Sequence, residues 1–380
     1  MTETSRTYHL QGLRVTLGRP RQVTEGVGFC WFPRMARFAS GELVLTHSLV
    51  ADTEGNLVTG SAIFLSNDGG ETWHTRYQVA EEPIVTVAQP DGAIAGSAYY
   101  LYPDPPDQGR RFKGHFCRLE EGGRRYVMEP WAVQVTGLPR DVSPSRYTGK
   151  YSREWMGQIY FDSDAVEVDG QVVSTAYVVF EGEKRYTLVA LASEDYGRTW
   201  HYLSTVAGPE DAPEGREGPC EASLVQLANG DLMCVMRIGS GTDQQLARAY
   251  SADAGRSWSA VDRLPAFSVE PSLRRIANDT LVLSTGRSGI YLWFSTDACG
   301  QEWQPVDVVA YHNEVMDTPH HIHPRQDFAS QTTAYTELVE VAPNRLLLVY
   351  DRIPFGWKGV PMDSEERNRI YVLPIEVKRI

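Results

Sequence analysis

One eight-residue motif constrains the fold of this chain more than any other feature. Ser193-Glu194-Asp195-Tyr196-Gly197-Arg198-Thr199-Trp200 is repeated as Ser66-Asn67-Asp68-Gly69-Gly70-Glu71-Thr72-Trp73 and as Ser251-Ala252-Asp253-Ala254-Gly255-Arg256-Ser257-Trp258. A fourth copy, Ser295 to Trp303, is one residue longer before its glycine. The pattern S-x-D-x-G-x-[ST]-W fits a tight turn between two strands. Aspartate caps backbone N–H groups, glycine takes a positive φ, and tryptophan packs back over the turn. Four copies in 380 residues imply a repeat architecture.

Each motif ends a longer unit, clearest at 221–264. Glu221 to Leu227 alternates as a strand, Ala228-Asn229-Gly230-Asp231 is a turn, and Leu232 to Arg237 is a second strand. Gln245 to Tyr250 leads into the box and Ala260 to Leu264 leaves it. Four antiparallel strands per unit make the sheet of a propeller blade. The interval from Ser66 to Ser193 is roughly twice the other two, so it holds a unit without a box, with its turn at Pro90-Asp91-Gly92. A boxless unit also follows the fourth box, starting at Ala334-Tyr335. The expected fold is therefore all-β: a single six-bladed β-propeller of four-stranded antiparallel blades over 1–380. The leading segment Tyr8 to Leu17 is expected to pair into the last blade.

Composition narrows the partners. A net charge of −13 argues against nucleic acid and anionic membranes. No run of about 18 apolar residues is available to span a bilayer. Met1 to Arg6 lacks the apolar core of a signal peptide, and Cys30, Cys117, Cys220, Cys234 and Cys299 show no C-x-x-C spacing, so a cytoplasmic protein with reduced thiols is expected. The expected partner is a small oligosaccharide or glycoside, with no cofactor and no metal. His312, His320, His321 and His323 contain an H-x-H spacing that can chelate, but a loop reaching over the mouth fits that segment better.

Strand order then locates a site. First strands start, and second strands end, on the face opposite the boxes. Counting from the leucine after each turn (Leu232, Leu281, Leu346) puts Glu221, Glu270 and Tyr335 at the starts of first strands. The same count puts Arg237, Arg287 and Arg352 at the ends of second strands. Arg34 falls near the equivalent start in the first unit. Ionisable groups converging on one axis are not something a bare propeller requires. Trp155 and Asp162, near the third unit, offer a stacking surface and a further carboxylate.

At these residues the chain resembles the sialidase (neuraminidase) superfamily with its Asp-box, or BNR, repeats. Glu221 with Arg237 resembles that family's Glu…Arg strand pair. Ala334-Tyr335-Thr336-Glu337-Leu338 resembles its nucleophile segment, and Arg34 follows an aromatic-Pro like its first arginine motif. The resemblance implies Tyr335 as nucleophile, Glu221 as its base, Asp52 as acid, and Arg34, Arg237 and Arg287 around a substrate carboxylate. Trp31-Phe32-Pro33-Arg34 departs from the usual aromatic-Arg-Ile-Pro order, which marks a divergent member whose sugar need not be sialic acid. Alternatives on the same scaffold are an exo-arabinanase using carboxylate pairs (Glu221 with Glu270, or Asp162 with Asp164), a lyase acting on uronic-acid glycans, and a non-catalytic carbohydrate-binding propeller.

Overall fold

The structure is a computed structural model that describes residues 5–51, 60–104, 109–144, 157–239, 245–267, 269–323 and 329–380. Strands hold 54% of the residues and helices 4%, so the chain is all-β. The first sheet comprises Trp31–Arg37, Leu43–Ser48, Ser61–Ser66 and His74–Val79, all antiparallel. The fourth (Cys220–Gln226, Leu232–Arg237, Gln245–Ser251, Asp262–Phe267) and fifth (Ser272–Arg275, Leu281–Gly286, Ile290–Ser295, Gln304–Asp307) repeat that order.

The second and third groups of strands fuse. Val87–Ala88, Ile94–Pro103, Phe112–Leu119 and Tyr126–Thr136 form one group; Ile159–Val168, Gln171–Val178, Thr187–Ser193 and Thr199–Ala207 form the next. Gln134, Val135 and Thr136 pair in parallel with Thr199, Trp200 and His201, making one eight-stranded sheet. The boxless outer strand thus borrows its neighbour's box for an edge partner, and Arg198 clamps Glu129 through two 2.9 Å bonds.

The sixth sheet is built from both ends of the chain. Glu337–Ala342, Arg345–Arg352 and Asn368–Arg379 come from the C-terminal side. Leu13–Leu17 pairs with residues 375–379 of the last strand, and Arg21–Gly26 with residues 368–372. The leading segment therefore joins the last unit, as its leftover position in the repeat suggested.

Alternating apolar residues on both faces of each sheet are buried between neighbours. Six hydrophobic clusters each draw on two consecutive groups of strands. Phe38 and Val44 share a cluster with Ile94 and Leu119, Phe116 with Phe161, Val173 with Leu224, Val235 with Leu283, Phe294 with Leu348, and Leu347 with Leu45. The last of these brings the sixth sheet against the first.

Each box joins a third strand to a fourth. In the second copy, Thr199 N–H donates to Asp195 Oδ1 (2.7 Å), Gly197 N–H to Ser193 Oγ (2.8 Å), and Trp200 Nε1 to the Gly197 carbonyl (2.9 Å). Gly197 sits at φ +90°, a conformation that any side chain would strain.

Trp200 is fully buried, so Trp200→Ala should cost about 3–5 kcal/mol in urea denaturation. The first and third boxes carry a pH signature. Thr72 in one and Ser257 in the other hydrogen-bond Asp68 and Asp253, holding both carboxyls down to about 2. A depressed folded pKa contributes stability above the unfolded value of about 4, and that contribution is lost as pH falls toward 2. The Tm gap between wild type and Asp68→Asn/Asp253→Asn should therefore narrow over that window.

Candidate active site

The cavity of about 220 Å³ lies among the starts of the first strands, and no box residue lines it. Its size is below the ~300–1,000 Å³ of drug-sized pockets, the scale of one sugar ring. Phe32, Glu221, Glu270 and Ala334 all sit at positive φ, between +39° and +66°. Each lies at the entry to a first strand, and the registers shift there, between Trp31 and Arg34 and between Cys220 and Ala222. Left-handed non-glycine residues cost about 1–3 kcal/mol each and persist where the surroundings over-determine them. Four of them around one cavity point to a site for which the fold gives up stability.

Glu221 is the hub. Its Oε1 accepts from Tyr335 Oη at 2.8 Å and from Arg237 Nη1 at 2.5 Å, while its Oε2 accepts from the Glu270 backbone N–H at 3.0 Å. Arg237 also pairs with Glu217 at 2.6 Å. Burial opposes ionisation of Glu221, but Arg237, Tyr335 and Arg287 outweigh it and hold the carboxyl below the usual range. Burial and the Glu221 charge push the Tyr335 phenol well up, against Arg237 and Arg287, so it is protonated at neutral pH. The resting pair is a phenol donating to a carboxylate.

Arg34 Nη2 donates to Glu270 Oε1 at 2.8 Å. Burial lifts Glu270 to about 7, with Glu221 and Glu337 adding to the rise and Arg34 and Arg237 opposing it. Asp162 is buried on the cavity wall, accepting from Thr175 Oγ1 at 2.6 Å and from the Ala222 N–H at 2.9 Å. It thereby braces the backbone beside Glu221, and burial pushes its carboxyl well up.

The remaining expected residues divide. The Arg287 guanidinium is 5.8 Å from the centre of the Tyr335 ring and 5.0 Å from that of Trp357, and Arg287, like Arg237, is not on the cavity wall. Arg352 does not join the site: its Nε donates to the Pro319 carbonyl at 2.9 Å and its Nη1 meets Glu366 at 3.3 Å. Asp52 and Trp155 lie outside the described residues, although Ala51 lines the cavity. In the histidine segment, His312 lies in the helix Val308–Val315 and bonds Tyr350 Oη (2.7 Å) and the Thr318 carbonyl (2.9 Å). Among the described residues no group of three or more side chains could hold a metal.

Sequence reasoning missed Glu81, Glu82, Tyr99, Tyr177 and Glu337, all on the cavity wall. Glu82 accepts from Ser61 Oγ at 2.8 Å, and burial pushes its carboxyl up. Two adjacent glutamates before Pro83, in a link between sheets, were the available signal. Arg34 Nη1, Glu81 Oε2 and Glu82 Oε2 are buried without a hydrogen-bond partner.

The geometry defines a class: all-β sheets pinned by Asp-boxes at one end, with a buried Tyr–Glu–Arg cluster at the other. A family model described as "BNR repeat-like domain" matches residues 162–341, and one described as "BNR/Asp-box repeat" matches residues 64–75. These two matches show that the chain carries BNR/Asp-box repeats. Among solved structures it resembles a protein of unknown function from Dyadobacter fermentans (TM-score 0.64, 19% identity, 94% of this chain and 99% of the other). It also resembles the α-L-arabinanase of Penicillium chrysogenum bound to arabinobiose (0.57, 15%, 92% and 98%) and the NanB sialidase of Streptococcus pneumoniae (0.56, 13%, 95% and 70%). No curated protein sequence matches it. At these identities the structural likeness is one of fold.

A raised carboxyl favours the folded state when protonated. The Glu270 contribution is thus present below about pH 4 and lost as pH rises through about 7. Difference infrared spectroscopy should show a carboxyl titrating near 7, and Arg34→Ala, which removes the nearest opposing charge, should move that midpoint upward.

Proposed function

We propose that the protein is an exo-acting glycoside hydrolase on a six-bladed propeller, removing one terminal sugar held in the cavity. Six clusters between consecutive strand groups, five joining separate sheets and one inside the fused eight-stranded sheet, run from the first group to the sixth and back, which supports the propeller reading and a single domain over 1–380. The observation that carries the chemistry is the 2.8 Å bond from Tyr335 Oη to Glu221, with Arg237 on the same carboxylate oxygen. Tyr335 Oη attacks the anomeric carbon while its proton passes to Glu221, and the glycosidic C–O bond breaks. The leaving oxygen takes a proton from an acid, the role we give Asp52. Water then releases the sugar from Tyr335 by the reverse proton path. Sialidases with a tyrosine nucleophile are a known exception to the two-carboxylate rule.

An acidic sugar is the first choice of substrate, because Arg34 lines the cavity and a guanidinium takes a carboxylate bidentately. The charge balance of the wall favours a second reading. Arg34 is the one arginine among the described lining residues, against Glu81, Glu82, Asp162, Glu221, Glu270 and Glu337. On a neutral sugar such as arabinose, Glu270, near half-protonated at neutral pH, would serve as acid and Glu221 as its carboxylate partner. The five cysteines are unpaired, four of them buried, which supports a reducing compartment.

A panel of aryl glycosides (sialyl, glucuronyl, arabinosyl, rhamnosyl) separates these readings. Tyr335→Phe and Glu221→Gln should each lower kcat/KM by about 10²–10⁴ with the fold retained. If Tyr335→Phe keeps its activity while Glu270→Gln loses it, the carboxylate-pair reading replaces the tyrosine one. Absence of cleavage across the panel would remove the hydrolase proposal.

A further inference from the structure

The second group of strands carries an irregularity that the site described above does not use. Ile94–Pro103, Phe112–Leu119 and Tyr126–Thr136 all lose register at one level. Gly114 pairs with Leu101 on one side and Val133 on the other, and Phe116 pairs with Ser97 and Glu129. His115 alone therefore faces three residues on each flank: Ala98, Tyr99 and Tyr100, and Pro130, Trp131 and Ala132. Bulges bend a sheet, re-aim side chains, and are over-represented beside active sites. Two at one level, flanking a single histidine, are more than a strand end requires.

The side chains at this level form a connected set. Trp131 holds φ +60°, a left-handed conformation costly for a bulky residue, and stays 42% exposed. Its ring lies 4.7 Å from that of His115 and 5.3 Å from that of Tyr102, with Lys113 Nζ 5.3 Å from the ring centre. His115 Nδ1 is 3.8 Å from Glu81 Oε2, and Glu81, Tyr99 and Tyr100 line the cavity. Trp131 thus stands one side chain away from the cavity wall. A strained tryptophan left exposed one side chain from a cavity wall contributes little to the core. It presents a broad π surface of the kind that takes the C–H face of a sugar ring, while Lys113, paired with Asp104 at 3.4 Å, offers its remaining N–H donors to the hydroxyls at its edge.

We propose that Trp131, with Tyr102, His115 and Lys113, forms a second sugar-binding subsite that holds the ring on the leaving-group side of the scissile bond. The inference rests on the glycoside hydrolase reading. The cavity accommodates a single ring, so the next unit of the same glycan must continue past the rim, and the aromatic shelf is continuous with the wall at Glu81. The ligand class is an oligosaccharide of two or more rings.

Three substrates sharing one chemistry test this: sialyllactose, arabinotriose, and the glycosyl fluoride of whichever terminal sugar is cleaved, whose leaving group has no ring. Trp131→Ala should lower kcat/KM for the oligosaccharide about tenfold and leave the fluoride unchanged, with Trp131→Tyr restoring most of the loss. Equal loss on both substrates, or on neither, overturns the subsite. If wild type cleaves nothing, the hydrolase reading fails by itself and the shelf is judged by calorimetry. Binding of sialyllactose or arabinotriose that weakens about tenfold in Trp131→Ala upholds it. Binding that is absent, or unchanged by the substitution, overturns it.

Discussion

The cavity is organised by one carboxylate. Glu221 belongs to the fourth sheet, the phenol it accepts from belongs to the entry of the sixth, and the backbone N–H it accepts from belongs to the entry of the fifth. Arg237, from the neighbouring strand of its own sheet, supplies the charge that keeps it ionised in a buried setting. A buried carboxylate without such a partner would neutralise itself. With Arg237 in place it stays anionic, so Tyr335 remains a protonated donor pointed at it. Glu221 is the member that the others share: Tyr335 and Arg237 meet on its Oε1, and the Glu270 N–H meets its Oε2. Backbone strain at Glu221, Glu270 and Ala334 gathers around this group.

The two ends of the strands divide their labour. At the box end, short side-chain-to-backbone bonds and a buried or half-buried tryptophan fix each third-to-fourth-strand turn, with glycine taking one positive φ and Tyr196 and Ala254 another in the second and third copies. At the cavity end the unusual dihedrals fall on glutamate, phenylalanine and alanine, and burial pushes the Glu270 and Asp162 carboxyls up while Arg237 holds Glu221 down.

Much of this was legible in the sequence, for a physical reason: a repeat fixes register, and register says which residues share an end of a sheet. The boxes located Glu221, Arg237, Tyr335 and Arg34 without any appeal to structure, and the structure brings them together. Counting could not say where a long side chain goes once its Cα is placed. Arg237 and Arg352 are equivalent by count, yet Arg237 turns onto Glu221 and Arg352 onto Pro319 and Glu366. Glu81 and Glu82 escaped notice because they lie in a link that the repeat does not number. Trp131 escaped because a shared bulge in three strands leaves no pattern in any one of them. The parallel pairing of residues 134–136 with the second box was hidden too, since it depends on an outer strand lacking a box of its own.

The sixth sheet places Leu13–Leu17 and Arg21–Gly26 beside the final strand, Asn368–Arg379. During synthesis the first of these strands emerges long before its partner exists. Until residues 368–379 leave the ribosome, Leu13–Leu17 has only Arg6–Leu10 beside it and presents its other edge, with a buried apolar face, to any strand nearby. The cavity-lining Tyr335 stands at the entry to this same sheet, which residues 13–26 and 337–379 build together. A chain arrested short of residues 368–379 leaves Arg345–Arg352 and Arg21–Gly26 without the strand they share, edges open to association with a neighbour.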